Sequence, residues 1–257
     1  MPELPEVETL CRQLHKKISG EKILATEIYD DKIAAIRNVK GRTVTVVERE
    51  GKKIVIVLDN GYAIFIHLRM TGRLLWQKDS VRPKHGRLRM TFADGNIFLV
   101  DPRRFATVDV FKKQDSDVTK DIFKAFDLKL FLGAHACRKT NVKTLIMDKN
   151  AIEGIGNIYA SEILHRAGIS PERPAAQVTR TEWSKVFQLA GIILEKSIKK
   201  RGTSISDWRD LYGQKGENQN ELKAYGQEGK RCSICSGTIH RIKQGGRSTF
   251  YCPQCQK

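Results

Sequence analysis

The feature that most constrains this chain lies at its C-terminus. There Cys232-Ser233-Ile234-Cys235 and Cys252-Pro253-Gln254-Cys255 are separated by sixteen residues. Two close cysteine pairs across a spacer of hairpin length place four thiolates tetrahedrally around one Zn²⁺. All four ligand positions are filled by Cys, so no site stays open for a substrate and the metal is structural. Two disulfides, or four unrelated thiols, are the competing readings. A hairpin this short has little core of its own, so metal binding would supply much of its folding energy. Segments 238–241 and 248–251 read as its strands. Lys243, Gln244, Gly245, Gly246 and Arg247 form a basic, glycine-rich tip. Such a tip suits a phosphate backbone or a nucleic-acid groove, although a solvated turn has the same composition. Cys11 and Cys137 have no partner in sequence and read as buried thiols.

The charge of the whole chain bears on what that basic tip would meet. Lys and Arg outnumber Asp and Glu by 46 to 29, a formal charge of +17, in a chain of 257 residues that is 40% hydrophobic. This is a globular chain of one large domain or two modest ones, and its charge favours a polyanion such as nucleic acid. No run approaches the roughly 18 apolar residues of a membrane span. The opening Met1-Pro2-Glu3-Leu4-Pro5-Glu6 is acidic and lacks the apolar stretch of a secretion signal. An intracellular, reducing location is therefore expected, which favours metal over disulfides for the cysteines.

Leu4, Val7, Leu10, Leu14 and Ile18 lie on one face of an N-terminal helix ended by Gly20. Short β-rich runs follow at 23–28, 43–48, 53–58, 62–67, 87–92, 97–100 and 107–111. Asp59-Asn60-Gly61 and Ala93-Asp94-Gly95 punctuate them. The run 53–58 is nearly continuous in apolar residues and suits a strand covered on both faces. Many short strands with turn signals predict a sandwich or barrel. The pattern then changes: 114–140 reads as linker plus the start of a helical domain, 157–168 as a short helix, and 181–200 as a longer one. Thr179 and Glu182 have capping-box spacing before that longer helix. The stretch 201–230, rich in Gly, Asn, Gln and Lys, reads as containing a mobile loop.

At the N-terminus, Met1 precedes the small residue Pro2, so removal of the initiator Met is expected. This leaves a free secondary amine, and an amine attacking a sugar C1′ gives an iminium. An α-amino group with pKa near 8 is roughly 10% neutral at pH 7, against under about 0.1% for an ordinary lysine. Glu3 and Glu6 share a helical face beside that amine, one suited to general acid/base work and the other to orientation. Pro and Glu are also ordinary helix-start chemistry.

Taken together, these motifs carry a resemblance. Pro2-Glu3-Leu4-Pro5-Glu6-Val7-Glu8-Thr9 resembles the opening of the formamidopyrimidine-DNA glycosylase family. Gly246-Arg247-Ser248-Thr249-Phe250-Tyr251-Cys252-Pro253-Gln254-Cys255-Gln256 is similar to that family's C-terminus. His67-Leu68-Arg69-Met70-Thr71-Gly72, Asp101-Pro102-Arg103-Arg104-Phe105 and Gly154-Ile155-Gly156-Asn157-Ile158-Tyr159-Ala160-Ser161-Glu162 lie between them in the family's order.

The resemblance implies an α+β chain. It consists of an N-terminal β-sandwich with an N-terminal helix, a helical helix–two-turn–helix domain, and a C-terminal zinc-finger β-hairpin, with DNA held in the cleft between domains. The expected boundaries are 1–115 for the catalytic sandwich and 116–135 for a linker. Residues 136–225 would form the DNA-binding helical domain with a lesion-capping loop, and 226–257 the finger. Pro2 is implied as nucleophile, Glu3 as acid/base and Glu6 in support. Lys53 and Arg247 are implied to contact phosphates near the lesion, and Asn157, His67 and Arg104 to make further backbone contacts.

Met70, Arg103 and Phe105 match the family's lesion-probing group. A base cannot be cut inside the stack. Apolar wedges would fill the vacated space while Arg103 bonds the orphaned base. With Leu4, this set looks like the branch directed at oxidised purines, as against relatives directed at oxidised pyrimidines. The implied activity is excision of 8-oxoguanine and formamidopyrimidines from duplex DNA, followed by cleavage at the abasic site. The implied cofactor is one structural zinc. A monomer in the cytoplasm, on the nucleoid when bound to DNA, is expected.

The chain also departs from the family. Arg69 and Ala106 stand where small, glycine-like residues are usual, and Asp148-Lys149 replaces Asp-Gln. Glu153 adds a negative charge near a phosphate site, and 118–135 lacks the usual Leu-Gly-Pro pattern. Asn218 occupies a position in 213–220 where an aromatic is common.

Overall fold

Turn residues cut the first part of the chain into short strands whose apolar sides need cover. In the computed structural model, which describes residues 1–114 and 118–257, they form two four-stranded antiparallel sheets. The strands are β1 (Ala25–Ile28), β2 (Val44–Glu50), β3 (Lys53–Leu58), β4 (Tyr62–His67), β5 (Arg73–Gln77), β6 (Gly86–Phe92), β7 (Gly95–Val100) and β8 (Thr107–Lys112). One sheet has the order β1-β6-β7-β5 and the other β2-β3-β4-β8. Ile54, Ile56, Ile64 and Ile66 from one sheet share a core with Leu88, Met90, Ile97 and Leu99 from the other. The sandwich expected from the sequence is present.

Helix α1 (Leu4–Ile18) adds Val7, Leu10, Leu14 and Ile18 to the same core. Its end falls where Gly20 adopts a positive φ of 83°. Ile54, Val55 and Ile56 of β3 are all buried, as its continuous apolar run predicts. Strand β5 is absent from the sequence reading. Only Leu74 of Arg73-Leu74-Leu75-Trp76-Gln77 is fully buried, so the strand carries no clear alternation.

The remaining elements are helical except for a terminal hairpin: α2 (Leu128–His135), α3 (Val142–Ile146), α4 (Asn157–Ala167), α5 (Arg180–Lys199), β9 (His240–Gln244) and β10 (Arg247–Tyr251). Gly168, at φ 77°, stops α4 in the left-handed conformation that favours glycine. The capping box at α5 is formed. Thr179 Oγ1 accepts the Glu182 N–H at 3.2 Å, and a Glu182 carboxylate oxygen accepts the Thr179 N–H at 2.8 Å. The second half of the expected linker 116–135 is helix α2. Its Phe131 is buried against Trp183 and Phe187 of α5, with ring centroids 5.0 Å from each. The expected boundary at 115/116 lies outside the described residues.

Two compact units result: Met1–Ser116 with Ile198–Gln219, and Asp117–Ser197 with Asn220–Lys257. The division differs from the sequence reading, which left 198–219 inside 136–225. The reason is anchoring to α1 and the sandwich, both polar and apolar. Glu6 accepts the Thr203 N–H, Gln13 bonds Asp210 and Leu211, and Trp208 and Leu211 join the sandwich core. Among the described residues no helix is long and apolar enough to cross a membrane.

Candidate functional site

The first turn of α1 buries two carboxylates behind Pro2. Glu3 is the N-cap and Glu6 the third helical residue, and the pair forms a capping box in which Glu6 Oε2 accepts the Glu3 N–H at 2.8 Å. Glu3 is 3% exposed and Glu6 1%. The other Glu6 oxygen accepts the Thr203 N–H at 2.7 Å. Gly202 makes this approach possible, because a Cβ there would sit 2.6 Å from Glu6 Oε1, and its φ is 79°. Glu6 is therefore a fixed support. Pro2 itself is buried, whereas Met1 is exposed. Loss of Met1 would leave the secondary amine beside this pair. Sequence reasoning missed Gly202 and Thr203, which lie nearly 200 residues away and carry no local signal.

The side chains of Met70, Arg103 and Phe105 come together at the surface of the sandwich. Arg103 Nη1 lies 3.4 Å from Met70 Sδ, and its guanidinium stacks 4.5 Å above the Phe105 ring. Met70 and Phe105 are each 49% exposed. Large apolar groups held out in solvent by a cation need a partner to cover them. The two departures beside this cluster differ in what they do. Arg69 sits at φ 56°, where glycine is favoured. Ala106 is buried, with its methyl close to Gly72.

Lys53, at the exposed start of β3, lies one place beyond the Ile54–Ile66 pair and so beside His67. His67 Nδ1 accepts the Arg69 N–H at 3.0 Å, which leaves the proton on Nε2. Burial, then the charges of Arg69, Lys52 and Lys53, push its pKa down to about 4. At neutral pH His67 is an uncharged donor. Arg104 differs again: its guanidinium is engaged by Asp30 at 2.9 and 2.6 Å, yet its side chain remains 57% exposed.

In the second unit, α4 begins after Gly156, so its first backbone N–H groups lack helical partners and favour an anion. The Asn157 side chain is already engaged. Its Oδ1 accepts from Lys143 Nζ at 2.6 Å and its Nδ2 donates to Ser248 O at 2.9 Å. Lys143 is 2% exposed and also bonds Thr249 Oγ1 at 2.6 Å, tying α3 and α4 to β10. The sequence offered no hint of this lysine, whose partners lie on other elements.

Gly245 and Gly246, at φ 53° and 76°, make the two-residue turn between β9 and β10. Arg247 is exposed just past this turn. A cavity of about 400 Å³ in this unit is lined by Arg138, Lys143, Thr144, Asp148 and Arg247 among others. Three cations against one carboxylate, itself paired with Arg138, suit an anionic occupant.

The four cysteines fit a metal. Tetrahedral Zn–S bonds of about 2.3 Å put sulfurs about 3.8 Å apart. Cys232 and Cys255 are 3.8 Å apart, Cys235 and Cys252 3.5 Å, and all four Sγ atoms lie within 4.8 Å of one another. They are the ligand set of one structural Zn²⁺. Ile239, Phe250 and Tyr225 pack around them, and His165 Nε2 of α4 approaches Cys232 Sγ at 3.2 Å.

Three family models cover nearly all of the chain: the formamidopyrimidine-DNA glycosylase N-terminal domain over residues 1–108, the formamidopyrimidine-DNA glycosylase H2TH domain over 119–208, and the zinc finger found in FPG and IleRS over 229–257. A formamidopyrimidine-DNA glycosylase of Desulfitobacterium hafniense is 37% identical over 276 residues, covering all of both chains. One from Carboxydothermus hydrogenoformans is 39% identical over 266, again covering both completely. Among solved structures, a Lactococcus lactis FPG mutant in complex with Fapy-dG containing DNA superposes with a TM-score of 0.90 at 32% identity, covering 100% of both chains. MutM in complex with carbocyclic 8-oxo-G containing DNA gives 0.90 at 33%, also with full coverage of both. On motif order, fold and metal site alike, this chain belongs to the formamidopyrimidine-DNA glycosylase family.

Proposed function

We propose that the chain is a base-excision DNA glycosylase and abasic-site lyase that removes oxidised purines from duplex DNA through its N-terminal proline. The observation that carries this reading is the buried Glu3–Glu6 capping box directly behind Pro2, with Glu6 held from its far side by the Thr203 N–H. The relatives bound to Fapy-dG and 8-oxo-G DNA support the substrate class, and the exposed Met70–Arg103–Phe105 cluster supports lesion probing.

After loss of Met1, the Pro2 nitrogen forms a bond to C1′ as the glycosidic C1′–N9 bond breaks. The base leaves with that electron pair and takes up the proton the amine gives up. Glu3 then protonates O4′ as the C1′–O4′ bond opens, leaving the iminium. Loss of the 2′ proton expels the 3′ phosphate, loss of the 4′ proton expels the 5′ phosphate, and water hydrolyses the iminium to free Pro2.

Residues 1–115 together with 198–219 form the catalytic part, with Lys53, His67 and Arg104 meeting the DNA backbone. Residues 136–197 and the finger 226–257 grip the backbone through the α4 N-terminus, Asn157 and Arg247. The Asn157 amide keeps one hydrogen for a phosphate while its other contacts hold α4 on β10. The protein acts as a monomer in the cytoplasm, on the nucleoid when bound to DNA.

The test is borohydride trapping on a duplex with 8-oxoguanine opposite cytosine, with peptide mapping and a check that Met1 is absent. A covalent adduct at Pro2 is expected. Tight binding without an adduct would make the protein a damage sensor. Trapping only on an oxidised pyrimidine would place it with the pyrimidine-directed relatives.

A further inference from the structure

We infer that Asp101 is a positioning residue, a buried carboxylate that locks the two loops bearing Met70, Arg103 and Phe105 into one wedge. Asp101 is 1% exposed and satisfies donors from both loops. From the loop of Met70 it accepts the Thr71 hydroxyl at 2.5 Å. From the loop of Arg103 and Phe105 it accepts the Arg103 N–H at 3.2 Å and the Ala106 N–H at 2.7 Å.

Behind it stands Arg87, 3% exposed, which donates to Asp101 at 3.3 Å, to the Ala106 carbonyl at 2.7 Å and to Asp30 at 2.6 Å. Asp30 in turn holds Arg104. Two carboxylates and two guanidiniums thus run from the phosphate-facing Arg104 to the wedge. A buried ion cluster generally stabilises a fold less than apolar side chains of the same volume would. Its value here is geometric, because the bonds of Asp101 to Thr71, Arg103 and Ala106 each fix the chain at or next to a wedge residue. Arg104 is held at φ 57°, an unfavourable backbone conformation for a residue with a Cβ, and the turn therefore needs such a clamp.

This inference rests on reading Met70, Arg103 and Phe105 as the group that enters the base stack. A wedge misplaced by an ångström loses rate steeply, about a hundredfold in comparable cases. An isolated abasic sugar in a single strand needs no stack to be entered, so the covalent chemistry there does not depend on the wedge.

The experiment compares single-turnover excision from an 8-oxoguanine–cytosine duplex with borohydride trapping on a single-stranded abasic site. Asp101→Asn, Thr71→Val, Thr71→Ser and the pair Arg103→Ala with Phe105→Ala are each measured. Asp101→Asn and Thr71→Val are expected to slow duplex excision roughly tenfold or more. Trapping should stay within about twofold of the parent, and Thr71→Ser should restore excision. Thr71→Val leaves the carboxylate in place, so it carries the test if Asp101→Asn does not fold. Parental excision in both variants while the wedge pair is slow would overturn the inference and leave the wedge reading standing. Parental excision in the wedge pair would remove that reading and the inference with it. Equal losses in both assays would reduce Asp101 to a stabilising role and also overturn it.

Discussion

Glu6 spends both carboxylate oxygens on the protein itself, one on the Glu3 N–H and one on the Thr203 N–H. Replacing it with Gln turns one acceptor into a donor facing an N–H. Glu6→Gln should therefore cost about 1–3 kcal/mol of stability, seen as a lower thermal midpoint together with weaker excision. Glu3→Gln keeps its shape and loses its acid, so excision should be abolished while lesion binding and melting stay near parental. Equal destabilisation by both changes would refute this division of labour.

His67 separates charge from contact. With its pKa near 4, it is neutral at pH 7. His67→Ala should weaken DNA binding without altering the slope of log K against log salt. Arg247→Ala, which removes a full charge, should lower that slope by about 1. A changed slope in His67→Ala would show that the imidazole is charged when bound. Arg69→Gly, relieving the positive φ, should stabilise by about 1 kcal/mol in a denaturant titration. At this scale the sequence reveals residues that are neighbours in the chain, such as Pro2, Glu3 and Glu6. It hides the roles of Thr203, Lys143 and Asp101, which depend on partners in other elements: Glu6 for Thr203, Thr249 for Lys143, and Thr71 and Arg87 for Asp101.

Elements were legible where a local rule closes on itself. The Thr179–Glu182 box and the Gly168 stop each need only a few consecutive residues, and each forms as read. The expected hairpin tip, by contrast, shrinks to Gly245-Gly246, with Lys243, Gln244 and Arg247 taken into the strands. Strand β5 and helix α2 were not legible, because each is recognised by what it packs against. Leu74 joins the sandwich core with only the partly buried Trp76 beside it, and Phe131 finds Trp183 and Phe187 some fifty residues on. The segment 198–219 is the sharpest case. From residue 201 its composition reads as loop, yet Asn218 is buried with its amide on Thr203 Oγ1 and its N–H on the Gly202 carbonyl. An aromatic cannot make the side-chain bond to Thr203, so this departure from the family helps fasten the segment to the Glu6 support. Gly202→Ala tests that docking. The added methyl meets Glu6 Oε1 at 2.6 Å, and a loss of about 1–3 kcal/mol is expected. Unchanged stability and activity would mean that the segment is not held through Glu6.

On the scale of the whole molecule, a charge of +17 brings the chain to any polyanion, and selectivity must come from groups held in fixed positions. The finger is where the metal supplies that fixity. Phe250, Ile239 and the cysteines make a core too small to hold β9 and β10 alone. Yet β10 is what Lys143 grips through Thr249 and Asn157 through Ser248. Metal loss should therefore propagate from the four thiolates to the α4 N-terminus within the second unit.

Removing zinc with a strong chelator should release one equivalent per chain. It should weaken binding to undamaged duplex roughly tenfold or more, a loss expected when second-unit phosphate contacts go together. Native-state hydrogen exchange should lose protection in β9, β10 and the first turn of α4 while β3 and β4 of the sandwich keep theirs. Added zinc should restore both. If affinity fell while α4 kept its protection, the finger would act through Arg247 alone, and the Lys143–Asn157 linkage would be packing without consequence for DNA.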